Sequence, residues 1–172
     1  MATDEQIREL REKMQSERGK LLAVLEALGE DEAQRPTSGE GEWSAMQQMA
    51  HLCEMETAYR AWVEKALTED NPNVDRLIGD RPAIALPEAH DHSAAEHLAE
   101  MHRQRQLTET VIDDIPAEQF ERTATQRMFG TLTVMQWLRS YYRHDRMHSD
   151  QVSGRDPDYK PRFTNGEPDQ RR

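Results

Sequence analysis

His144 and His148 stand four residues apart in a chain of 172 residues that holds seven histidines. On a helix that spacing puts both imidazoles on one face, a turn apart. Two rings so placed can share a divalent ion, as in zinc, nickel, iron and manganese sites built on helices. Trp137, Tyr141, His144, His148 and Gln151 continue a single stripe of alternating four- and three-residue steps, so the pair faces inward together with two aromatic rings. An inward imidazole needs a partner, and two are open to it: a hydrogen bond in the core, or coordination to an ion. His51 offers a third imidazole from an earlier helical segment, on a face shared with Gln47, Glu54 and Ala58; it joins the pair if that face meets the last helix. Three histidines leave a position of a four-coordinate ion open for Lewis-acid chemistry, whereas structural zinc is usually closed by four protein ligands.

The elements that must position these residues can be read from periodicity and punctuation. Residues 4–29 predict a first helix with Ile7, Leu10, Met14, Leu21, Leu25 and Leu28 on one stripe and Gly29 as its stop. Glu30 to Glu42, with Pro36, Gly39 and Gly41, has loop composition. Ser44 with Gln47 forms a capping-box pattern for a second helix to about Thr68. Asn71 to His92, punctuated by Pro72, Pro82 and Pro87, reads as a long, partly irregular crossover. A third helix fits Ser93 to Asp114 and ends before Pro116. Residues 117–131 predict a connector with a short extended piece around Thr123 to Phe129, after which Thr131 or Thr133 starts the fourth helix. The expected architecture is all-α, a four-helix bundle over residues 1–152 followed by an extended or disordered tail over 153–172.

Hydrophobic residues make up 35% and charged residues 32% of the chain, which suits long amphipathic helices rather than buried strands. A formal charge of −11 disfavours nucleic acid and anionic lipid as partners, and Arg139, Arg143 and Arg146 read as a solvated helix face. With no apolar run long enough to cross a bilayer and a charged N-terminus, the expectation is a cytoplasmic protein. Cys53, the single cysteine, forms no intramolecular disulfide and reads as a core residue. His90, His92, His97 and His102 read as solvated or capping residues. Apolar residues outside the main stripes, Leu22, Val24, Met49, Met55 and Trp62, suggest a homodimer interface.

Two motifs resemble the DinB/YfiT-like superfamily of metal-binding four-helix bundles. Trp43-Ser44 followed by His51-Leu52 is similar to that family's Trp-Ser, spacer, His-Leu signature. His144-Asp145-Arg146-Met147-His148 with Gln151 is similar to its last-helix motif, and Phe129 to Thr133 resembles the entry into that helix. Gln47 departs from the pattern, since many relatives carry Glu there. The resemblance implies one divalent metal ion, zinc or nickel, on His51, His144 and His148, with Gln151 lining the pocket. It also implies a small-molecule substrate and a low-molecular-weight thiol as cofactor, because relatives include bacillithiol transferases and mycothiol-dependent isomerases. A metal-dependent thiol S-transferase or hydrolase is the concrete expectation, with Glu54 and Gln151 as catalytic residues and Trp137 and Tyr141 lining a cofactor site. The alternative is a non-catalytic metal- or ligand-binding stress protein with a structural ion.

Overall fold

Every long helix begins with the same chemical device. Thr3, Ser44, Ser93 and Thr133 each accept a hydrogen bond from the backbone N–H three residues on, and Gln6, Gln47, Glu96 and Gln136 reach back to the cap's own N–H. Each reciprocal pair satisfies two donors that a helix start leaves orphaned and contributes about 1 kcal/mol. The four boxes launch α1 (Asp4–Glu26), α3 (Ala45–Thr68), α4 (Ala94–Asp113) and α5 (Val134–Val152). This is a computed structural model in which residues 1–37 and 43–159 are described.

The architecture is the expected four-helix bundle, in which α1 packs against α5 and α3 packs against both α4 and α5. Three details differ from the sequence reading. Glu30–Ala33 closes into a short helix, α2, where loop composition alone suggested coil; α1 ends at Glu26 with Ala27 as its C-cap, before the expected stop at Gly29, which instead caps the start of the new turn. The extended piece after the third long helix is a complete hairpin, β1 (Thr123–Gln126) pairing antiparallel with β2 (Gly130–Thr133), so the residues before Thr133 are a strand rather than the start of the helix. Gly130 takes a positive φ of 79° at the turn, a conformation glycine adopts without steric penalty. The third difference concerns the proposed interface: Met49 and Trp62 are 1% and 6% exposed inside the chain's own core, which removes them from any dimer surface. The predicted disordered tail lies outside the described residues from position 160 onward.

The crossover between α3 and α4 is irregular, as its prolines require, apart from a 3-10 turn at Leu86–Asp91. It is pinned to α3 by Trp62 Nε1, which donates to the Leu77 carbonyl at 2.6 Å. Gly79, with φ 73°, lies so close to α3 that a Cβ there would run into the Thr57 carbonyl. Arg122 closes the other end of α3 by donating to the Ala66 and Glu69 carbonyls, where a helix presents acceptors and the negative end of its dipole.

The apolar core comes in two parts. One gathers Leu10, Met14, Val63, Ile112, Phe120, Trp137 and Leu138 near the hairpin. The other gathers Leu21, Leu25, Met46, Met49, Ile84 and Met101 near the start of α3. Between them each long helix contributes one charged residue: Arg18 from α1, Glu56 from α3, Arg105 from α4 and Asp145 from α5, all buried. Arg18 donates to Asp145 at 3.0 Å and Glu56 at 2.6 Å. Arg105 donates to Glu56 at 2.7 Å, to Asp145 at 2.9 Å and to the Met14 carbonyl at 3.2 Å. Two guanidiniums and two carboxylates sum to zero charge, and such mutual pairing is the condition under which buried ions are tolerated; among the described residues Asp145 Oδ1 accepts no hydrogen bond and is met only by the ion pair with Arg18 Nη2 at 3.0 Å.

Candidate metal site

Asp145 belongs to this quartet and lies between His144 and His148 in sequence, so the contact that fixes the rotation of α5 also fixes where the two imidazoles point. Their Nε2 atoms lie 3.0 Å apart. His51, on α3, completes a cluster in which the ligand nitrogens of all three histidines fall within 4.8 Å of one another. Two imidazole nitrogens bound tetrahedrally at ~2.0–2.1 Å would sit ~3.3 Å apart, so the donor set fits a divalent ion with only a small adjustment. The condition left open by periodicity, that the His51 face meet the last helix, is met.

A second layer orients the ligands. His148 Nδ1 lies 2.8 Å from Gln48 Oε1. Gln48 Nε2 donates to Thr37 Oγ1 at 3.1 Å, and Thr37 Oγ1 donates to the Trp43 carbonyl at 2.9 Å. The direction of this chain makes the Gln48 oxygen the acceptor, which places the His148 proton on Nδ1 and leaves the Nε2 lone pair turned toward His144 and the ion position. Neither Gln48 nor Thr37 was singled out from the sequence. The available signal was that Gln48 shares a helix face with His51, three residues on, while its neighbour Gln47 is consumed by the cap.

Aromatic rings wall the cluster. Trp43 lies 4.9 Å from His51 and Tyr59 6.2 Å from His144, centroid to centroid. Burial lowers the imidazole pKa values, to about 3 for His51 and about 4 for His144, with like-charge repulsion from His144 adding at His51 and Arg18 adding at His144. His148 is also lowered well below its ordinary value, by burial first and then by its two histidine neighbours. All three rings are therefore neutral at physiological pH and keep a lone pair for coordination.

The other sequence-derived candidates are distributed differently. Tyr141 and Trp137 do share the histidine stripe, but they continue it into the apolar core. Tyr141 donates its hydroxyl to the Glu56 carbonyl at 3.2 Å. Trp137 is fully buried, edge-on to Trp62 and Phe129 at 5.1 and 5.7 Å. Glu54 accepts the Leu86 N–H at 2.8 Å through Oε1, tying the site's helix to the crossover, and Gln151 is half-buried one turn beyond His148. Cys53 is buried in the core, as expected, and burial raises its thiol pKa. His97 is a correction: it is 1% exposed rather than solvated, its Nε2 lying 2.8 Å from the Ala89 carbonyl, because the 3-10 turn folds over it.

Comparison with known proteins agrees with this geometry. Residues 6–152 match the DinB superfamily. The chain belongs to the DinB superfamily. The fold of this DinB protein is similar to that of YfiT from Bacillus subtilis, described as a probable metal-dependent hydrolase with an unusual four-helix bundle topology. The two share a TM-score of 0.71 at 18% identity, over 89% of this chain and 87% of that one, a likeness of fold alone. Among curated proteins no relative matches the sequence. No helix among the described residues is long and apolar enough to cross a membrane.

Proposed function

We propose that this DinB protein is a metal-dependent enzyme that acts on a small electrophilic substrate, transferring a low-molecular-weight thiol to it or hydrolysing it. The observation that carries the reading is the convergence of three neutral, pre-oriented imidazoles from two helices. When bound there, a divalent ion, zinc or nickel by the chemistry of an all-imidazole set, supplies Lewis acidity at a position the protein leaves open. His51, His144 and His148 hold it, and Gln48 keeps His148 in the ligating tautomer. Trp43 and Tyr59 narrow access for water beside the ligands. Glu54, one turn from His51 on the same face of α3 and tied to the crossover through Leu86, is the acidic group assigned to accept a proton, and Gln151 orients substrate one turn past His148. Tyr141 and Trp137 act at one remove, by anchoring α5 in the core. The setting is the cytoplasm.

A purely structural ion is the competing reading, and the buried quartet argues against it, because the four helices are already locked together without a metal. The test combines elemental analysis of the purified protein with turnover assays against thiols, alkylating electrophiles and esters. One ion per chain is expected, with a loss of at least about 100-fold in turnover for His144→Ala. Equal turnover by the metal-loaded variant overturns the proposal.

A further inference from the structure

Among the described residues the bundle buries three arginines, and only two of them meet a carboxylate. Arg18 and Arg105 belong to the quartet. Arg60, 9% exposed, meets neutral acceptors alone: its Nη1 donates to the Gln104 carbonyl and Thr108 Oγ1 at 3.2 Å, and its Nη2 donates to Gln104 Oε1 at 2.8 Å. The one carboxylate this network reaches is Glu100, through Gln104 Nε2, and Arg103 already engages it at two points. Arg35, Arg76, Arg139 and Arg143 also lack an ion pair among the described residues, but they are exposed or half-buried, where water solvates a guanidinium. A buried ion has no such recourse, and leaving it without a counter-charge is strongly unfavourable.

Arg60 also lines a cavity. It stands nine positions after His51, about two and a half turns on, and so on the far side of α3 from the histidines. There the crossover leaves a space of about 310 Å³ between Thr57, Arg60 and Ala61 on the helix and Arg76, Leu77 and Ile78 opposite, a volume at the small end of ligand pockets. The Trp62–Leu77 bond and the close approach of Gly79 to Thr57 hold this stretch of crossover on the helix, so the space is formed before any ligand arrives. The Nη groups of Arg60 turn toward α4, and its Nε meets no acceptor among the described residues. The side-chain nitrogens and oxygens that are sealed from water without a hydrogen bond there are Trp137 Nε1 and Asp145 Oδ1, so Arg60 Nε stays accessible. The Nε–Nη2 edge of a guanidinium grips a carboxylate with two parallel bonds, as Arg105 grips Glu56 in the quartet. The rest of the lining selects among anions. Ala61, Leu77 and the 81% exposed Ile78 offer apolar surface, and the exposed acids Glu64 and Asp80 on its border disfavour a doubly charged anion.

We propose that this cavity between α3 and the crossover is a second ligand site, separate from the histidine cluster, and that it takes a monocarboxylate with a short apolar chain on the Nε edge of Arg60. Heteronuclear NMR of the full-length protein, titrated with hexanoate, hexanamide and inorganic phosphate at constant ionic strength, tests it. Hexanoate is expected to shift the amide signals of Thr57, Ala61 and Ile78 and the Arg60 Nε–H signal saturably, with a Kd of about 1 mM or below, and hexanamide to bind at least about tenfold more weakly. Arg60→Met is expected to abolish the preference for hexanoate over hexanamide. Ala61→Leu fills the cavity while the guanidinium stays in place, and is expected to weaken hexanoate by about tenfold; it decides the matter if Arg60→Met does not fold. No saturable shift below about 20 mM hexanoate, equal affinity for hexanamide, or shifts confined to residues beside His51, His144 and His148 overturns the site. A folded Arg60→Met that keeps the preference overturns the role of Arg60, and an unchanged Kd in Ala61→Leu overturns the cavity as the seat. Phosphate binding as tightly as hexanoate overturns the carboxylate class.

Discussion

Replacing Asp145 by alanine tests whether the buried quartet holds the bundle together. Asp145 receives Arg18 through Nε and Nη2 and Arg105 through Nη2, all within 3.0 Å. Its removal leaves two buried guanidiniums to share Glu56, so one positive charge loses its counter-ion where water cannot replace it. Breaking a buried pair from one side costs about 3–5 kcal/mol. For a domain of this size each kcal/mol corresponds to about 2–4 °C in Tm, so Asp145→Ala is expected to melt about 6–20 °C below wild type. Far-UV circular dichroism of the metal-free proteins reads this directly. A second comparison separates charge from packing: replacing all four members by apolar residues of similar volume is expected to cost less than Asp145→Ala alone. A drop of less than about 2 °C for the single variant, or a quadruple variant melting below it, refutes the argument.

Two further outcomes follow from the site. Gln48→Ala releases the His148 proton from its fixed position and is expected to weaken metal affinity by about 10- to 100-fold in a chelator competition assay; unchanged affinity removes Gln48 from the site. Because the site imidazoles are held neutral by burial, the unfolded chain binds more protons than the folded one between about pH 4 and about 6.5. The metal-free protein should therefore hold its full stability above about pH 6.5 and lose up to about 1.4 kcal/mol per histidine per pH unit as the pH falls below it. Thermal melts across that range, compared with a variant in which His51 and His144 are both phenylalanine, check this; identical profiles count against neutral burial.

What could be read from the sequence was whatever is local along the chain. The capping box at Ser44 and the start of the third helix at Ser93 located two helix starts to the residue, and the four-residue spacing of His144 and His148 placed both rings on one face. Periodicity says which residues share a face, and it is silent on depth along the helix axis. Tyr141 and Trp137 share the histidine stripe but lie further into the core. The quartet was illegible for a related reason. Arg18, Glu56, Arg105 and Asp145 each resemble a solvated charge on an amphipathic helix, and Arg18 and Asp145 are 127 positions apart, so only the tertiary fold reveals their pairing. His97 escaped because its partner, the Ala89 carbonyl, belongs to a proline-punctuated segment whose path no periodicity describes.

Placing one member of a neutral quartet on each long helix makes assembly all-or-none. A bundle missing any single helix strands an ion of one sign in a desolvated layer, so partially docked forms gain little from the contacts they have already made. Asp145 ties that layer to the imidazoles on either side of it, and the metal-binding geometry therefore arises in one step with the native state and is withheld from every earlier form of the chain.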